Sequence, residues 1–119
     1  MEKTKTILVV DDEEDIRETV KMILEPRGYN VITASDGDEC LRKVEESNPD
    51  LVLLDIMMPG TPVSEIIDQI KDIKIAFMSV VRISEARKQG LTTHENVVDF
   101  FQKPFNVGDL LSRVKLHVG

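Results

Sequence analysis

Short apolar runs alternate along the whole chain with stretches whose apolar residues recur every three or four positions. Ile7-Leu8-Val9-Val10 is unbroken and rich in β-branched residues, as a strand covered on both faces should be. After the acids at 11–15, Ile16, Val20, Ile23 and Leu24 make the stripe of a helix lying on a core, and Pro26 and Gly28 stop it. Tyr29 to Ala34 predicts a second strand. Ser35-Asp36-Gly37 then turns into a helix carrying Cys40, Leu41 and Val44, closed by Asn48-Pro49. Leu51-Val52-Leu53-Leu54 is a third strand, and it runs into Asp55.

Pro59-Gly60 is a sharp break. Thr61 is placed to cap the next helix, with Pro62 in its first turn, where a missing N–H costs nothing. Val63, Ile66, Ile67 and Ile70 form the inward stripe of that helix. Ile75 to Met78 predicts a fourth strand ending at Ser79, and Val98 to Phe101 a fifth leading to Lys103-Pro104. Between them the pattern is weak. Ser84 to Gln89 predicts a short helix with Gly90 as its left-handed terminator, almost without an apolar stripe. Asn106 and Asp109 are placed to cap a last helix with Val107, Leu110, Leu111, Val114 and Val118 inward.

Strand and helix thus alternate five times with short connections. Parallel strands need crossover helices, and right-handed crossovers cover both faces of an open sheet. The expectation is a three-layer, doubly wound α/β sheet in one domain spanning residues 1–119. Ligands of such sheets sit beyond the carboxyl ends of the strands.

Composition narrows the partners. Hydrophobic residues make up 41% and charged residues 31% of the chain, the balance of a soluble globular protein. The net charge of −7, from 22 acids against 15 bases, disfavours direct binding to nucleic acid or an anionic membrane. The apolar runs are too short to cross a bilayer, and no basic leader with an apolar stretch opens the chain, so a cytoplasmic location is expected. Cys40 is the one cysteine, which excludes an internal disulfide.

The strand ends deliver Asp11 and Asp12, Asp55, Ser79 and Lys103 to one rim. Each alone is uninformative: Asp11 or Asp12 can be a helix N-cap, and a lone lysine is usually a solvated one. Their joint placement carries the signal. Three close carboxylates invite a hard cation with oxygen ligands, magnesium ahead of zinc. The cation and the lysine would offset the charge of an incoming phosphoryl group, and a carboxylate can attack phosphorus to give an acyl phosphate.

Three motifs, Ile7-Leu-Val-Val-Asp-Asp12, Leu51-Val-Leu-Leu-Asp-Ile-Met-Met-Pro-Gly60 and Asp99-Phe-Phe-Gln-Lys-Pro-Phe105, are where the chain resembles the receiver domains of two-component response regulators, over its whole length. The resemblance implies a flavodoxin-like sheet of strand order 2-1-3-4-5. It implies that Asp55 accepts phosphate from a histidine kinase. Asp11 and Asp12 would hold Mg²⁺, Asp12 more directly, together with Asp55 and the Met57 backbone carbonyl. Lys103 would contact the phosphoryl oxygens, and Pro104 matches a cis-proline position. Ser79 would be the switch hydroxyl and Phe100 the switch aromatic. Burial of that ring would change the face made by the fourth helix, fifth strand and fifth helix, toward an output domain, a partner protein or a phosphorylation-dependent homodimer.

Two stretches depart from the family. The chain is shorter than usual between Asp55 and Ser79, and slightly longer and more polar from Ser79 to Lys103. Val80 stands where a very small residue is usual; its branches narrow access to Asp55, or the loop simply shifts. Met57 and Val81 match positions that are polar in fast-cycling members, which implies slow self-dephosphorylation and no enzymatic turnover beyond it. Neither His94 nor His117 carries a functional signal. Two other readings stay open: a degenerate receiver that binds partners without phosphorylation, and an aspartyl-nucleophile phosphohydrolase. The second lacks its proton donor, because Met57 occupies the position of the general acid.

Overall fold

The computed structural model describes residues 4–119. The elements run β1 (Thr6–Val10), α1 (Glu14–Leu24), a 3₁₀ turn (Glu25–Arg27), β2 (Asn30–Ala34), α2 (Gly37–Ser47), β3 (Leu51–Leu54), α3 (Val63–Gln69), β4 (Lys74–Ser79), α4 (Ile83–Lys88), β5 (Val97–Gln102) and α5 (Val107–Val118). All neighbouring strands pair in parallel, in the order β2-β1-β3-β4-β5. The flavodoxin-like sheet expected from the sequence is the one that forms.

Both sheet faces are covered, which is why the strands read as continuous apolar runs. Leu8, Val10, Val52 and Leu54 pack with Cys40, Ile66 and Phe77 on one side. Ile7, Val9, Leu51 and Leu53 pack with Val20, Leu24, Phe101 and Leu110 on the other. The Cys40 thiol is fully buried in the first layer, which pushes its pKa up to about 12 and leaves it inert.

Local chemistry sets the helix ends. Asp36 accepts from the Glu39 amide at 2.8 Å and Asn106 from the Asp109 amide at 3.0 Å, each an N-cap. Gly28 closes the turn after α1 at φ +93°, where a Cβ would be strained. Thr61 differs from its expected role. Its hydroxyl and amide bond to Asp38, Pro62 takes the N-cap position without a side-chain cap, and α3 starts at Val63. A charged acceptor nearby outcompeted the local cap. Val107, expected inward, is 50% exposed because it sits in the first turn of α5, before the helix settles on the sheet.

The stretch after β4 is the lightly built part. The six-residue helix α4 buries only Ala86, and the loop behind it is pinned by buried Leu91. The Asn96 amide bonds the carbonyls of Ile67 (3.4 Å) and Ile70 (3.2 Å), which closes the shortened α3 and ties the loop to it.

Candidate functional site

Strand register places the rim residues. Val10 lies opposite Leu54, so Asp11 and Asp55 leave the sheet side by side. The Asp55 amide donates to the Val10 carbonyl at 3.0 Å and the Asp11 amide to the Ala34 carbonyl at 3.1 Å, carrying the ladder one residue past each strand. β4 and β5 reach further, with Ser79 opposite Gln102. The Lys103 amide then donates to the Ser79 carbonyl at 2.8 Å, aiming the lysine back over the strand ends.

Four of the side chains singled out in the sequence meet there. One oxygen each of Asp11, Asp12 and Asp55 lies within 4.8 Å of the others. Lys103 Nζ donates to Asp11 Oδ2 at 2.5 Å and to Asp55 Oδ2 at 3.4 Å. Asp11 and Asp55 are buried and Asp12 faces solvent, so the cluster is open on one side. Asp11 Oδ1 also accepts from the Glu13 amide at 2.9 Å, a turn that fixes its rotamer and answers the N-cap reading: Asp11 is tied to the rim, and α1 begins at Glu14.

Burial is the main influence on Asp55 and raises its pKa. The Asp11 charge adds to this, while the Met57 amide, the Lys103 charge and the Ser79 hydroxyl pull downward without cancelling it. For Lys103, burial alone would lower the pKa. The hydrogen bond to Asp11 and the charges of Asp55 and Asp11 win, so it rises and the lysine stays protonated. One ammonium faces three carboxylates. The set is all carboxylate oxygen, which fits a hard divalent cation and not a thiophilic one.

The remaining residues stand around this cluster. Met57 follows in the β3–α3 loop, its amide donating to Asp55 Oδ1 at 3.1 Å. Thr61 and Pro59 hold that loop on the start of α2: the Gly37 amide donates to the Pro59 carbonyl at 3.3 Å, and a Cβ on Gly37 would lie 2.5 Å from the Thr61 carbonyl. Ser79 is fully buried, its Oγ accepting from the Val81 amide at 3.2 Å. Phe100 lies opposite Phe77 in the register, half-buried, the rings edge to face at 6.3 Å. Phe101 is the core partner of the pair. The Lys103-Pro104 bond is cis. Val80 is 66% and Met57 61% exposed, so most of each apolar side chain faces solvent.

Sequence reasoning missed one cluster. Asp99 in β5 accepts from Arg113 Nε at 2.9 Å and from Arg113 Nη2, and lies 2.8 Å from His117 Nε2. Arg113 also donates to the Phe100 carbonyl at 3.0 Å and lies 4.4 Å over the Phe101 ring. The available signal was an acid in the middle of an apolar strand, where partial burial favours a partner.

Comparison with known proteins agrees with the geometry. Residues 7–115 match the response regulator receiver domain. The chain is 40% identical over 113 residues to the alkaline phosphatase synthesis transcriptional regulatory protein PhoP of Bacillus subtilis, covering 93% of this chain and 47% of that protein. It is 36% identical over 117 residues to the phosphate regulon transcriptional regulatory protein PhoB of Escherichia coli, covering 93% and 50%. It thus spans about half the length of the curated relatives it matches. Among solved structures, the response regulator TrrA of Thermotoga maritima, determined in complex with Mg²⁺-BeF, has 38% identity and a TM-score of 0.81, covering 95% of this chain and 98% of that one. A CheY-like receiver domain protein of Methanospirillum hungatei gives 27% identity and a TM-score of 0.86, covering 98% and 94%. A chain with this sheet, this rim and these relatives belongs to the response regulator receiver domain family.

Proposed function

We propose that the chain is one receiver domain in which Asp55 takes a phosphoryl group from the phosphohistidine of a sensor kinase. The Asp55 carboxylate attacks phosphorus, an O–P bond forms, and the P–N bond breaks with its electrons returning to the histidine ring. Lys103 holds charge against the phosphoryl oxygens throughout. Asp11, Asp12, Asp55 and the Met57 carbonyl are the residues to hold Mg²⁺, which when bound offsets the negative charge gathered at phosphorus. The observation that carries this reading is the three-carboxylate cluster with Lys103 Nζ 3.4 Å from Asp55.

The new group brings about −1.5 to −2 charges and three acceptor oxygens. Ser79, buried beside Asp55, is the hydroxyl positioned to answer them. Its movement makes room for Phe100, which is only half-buried against Phe77, and so remodels α4, β5 and α5. That face then addresses an output domain or a partner protein. The domain works in the cytoplasm, and among its described residues no helix is long and apolar enough to cross a membrane. Turnover is confined to slow loss of the phosphoryl group, because apolar Met57 and Val81 offer no handle to a hydrolytic water.

The test is incubation with acetyl phosphate and Mg²⁺, read by intact mass. Wild type gains one phosphoryl group and Asp55→Asn gains none. An unmodified wild type would sink the reading and leave a phosphorylation-independent binding module.

A further inference from the structure

The loop between β3 and α3 is held at few points. From Met57 to Thr61, two backbone amides have hydrogen-bond partners among the described residues, and both partners are carboxylates. The Met57 amide donates to Asp55 Oδ1 at 3.1 Å. The Thr61 amide donates to Asp38 Oδ1 at 3.1 Å, and the Thr61 hydroxyl donates to the same oxygen. The loop is strung between Asp55 at the rim and Asp38 in the first turn of α2.

The Asp38 end is the firmer anchor. α2 has its own N-cap in Asp36 and is seated on the core through buried Cys40 and Val44, so Asp38 stands on a fixed base. Beside it the Gly37 amide holds the Pro59 carbonyl, two residues from Met57. The far side of the loop offers less, because α3 starts at Pro62 without a side-chain cap. Asp38 lies 23 residues from Thr61 and is itself exposed, so neither its neighbours nor burial gives it another task.

We propose that Asp38 is a positioning residue for the cation site: through Thr61 it fixes the β3–α3 loop, and with it the Met57 carbonyl. This rests on the reading of that carbonyl as a ligand. An oxygen already in place needs no ordering when a cation arrives. A loop freed from Asp38 must be ordered at that moment, which lowers affinity. What Thr61 requires is an acceptor oxygen, which an asparagine also supplies; the negative charge is secondary.

Calorimetric titration of the unphosphorylated chain with MgCl₂ alone tests this. Asp38→Ala is expected to bind Mg²⁺ about tenfold more weakly than wild type, the usual scale for losing a residue that orients a ligand. Asp38→Asn keeps the acceptor and stays close to wild type, whereas simple loss of an acid near the site would weaken both variants alike. Thr61→Val leaves α2 untouched and keeps the amide bond, so its loss has the same sign and is smaller. Amide NMR without Mg²⁺ should show the Met57 and Thr61 signals moving in Asp38→Ala while the sheet keeps its wild-type shifts. Equal affinity in wild type and Asp38→Ala, an asparagine variant as weak as the alanine one, or a wild type that binds no Mg²⁺ would overturn the proposal. Uptake from acetyl phosphate is scored separately. A chain that shows these Mg²⁺ differences yet gains no phosphoryl group refutes the phosphoacceptor reading and leaves the role of Asp38 standing.

Discussion

Two aspartates of this chain, one buried and one half-buried, are treated in opposite ways. Asp55 lies beside Asp11 with a share of one lysine, and burial, with the Asp11 charge, holds its pKa above the ordinary value. Asp99 is half-buried, and that partial burial alone would raise its pKa. Hydrogen bonds from Arg113 and His117 and the Phe100 amide overcome that and lower it. The first carboxylate sits where burial and a neighbouring charge disfavour its ionised form, a cost that a bound cation would relieve. The second fastens α5 to β5 across the residue next to Phe100. The proposed phosphoacceptor is a destabilised charge, and the junction of β5 with α5 rests on a satisfied one.

The largest contrast comes from removing each charge in turn. Asp55→Asn abolishes phosphoryl uptake, yet in chelator it raises the midpoint of urea unfolding, because it relieves a repelled carboxylate. Asp99→Asn keeps uptake and lowers stability by about 2 kcal/mol, since Arg113 then keeps a carboxylate partner only in the more exposed Asp109. An Asp55→Asn protein less stable than wild type in chelator would break the comparison.

Acid sharpens it. The folded state binds the Asp55 proton more tightly than the unfolded chain does. The stability this group lends is complete below its ordinary value of 3.8 and lost as pH rises through its folded value. For Asp99 the contribution is present above 3.8 and lost as pH falls through its lowered folded value. The gap between wild type and Asp55→Asn therefore opens as pH rises from the acid end, and the gap to Asp99→Asn closes as pH falls. Urea titrations from acid to neutral pH check both slopes.

Smaller effects follow from single contacts. His117→Gln removes one of the bonds to Asp99 and leaves Arg113 in place, a loss of about 1 kcal/mol by the same unfolding assay. At the rim, Met57→Asn gives a hydrolytic water a polar partner and shortens the phosphoryl lifetime severalfold. Wild type with Mg²⁺ should hold the group for minutes or longer; decay within seconds would contradict the argument from apolar Met57 and Val81.

How much of this was legible depends on the range of the interaction. Strand ends are written locally, so the motifs around Asp12, Asp55 and Lys103 mark the rim in the sequence itself. The apolar runs also betrayed a sheet covered on both faces. Thr61 illustrates where that logic stops: its cap was a sound local expectation, and Asp38, distant in sequence, took the hydroxyl instead. His117 and Asp99 are 18 residues apart on different elements, and no periodicity links them. Asn96 closes α3 from 26 and 29 residues away, a compensation for a trimmed helix that the spacing alone could flag but not solve. Val107 was placed inward on the right stripe of α5, but one turn too early.

Amide NMR of wild type and Asp55→Asn, each with and without beryllofluoride and Mg²⁺, probes the link between rim and face most directly. In wild type, shifts should begin at Asp11, Asp12 and Met57 and extend through Ser79 and α4 to Phe100 and Arg113, while Asp55→Asn stays unchanged. Wild-type shifts confined to the rim, with α4 and β5 silent, would contradict a switch.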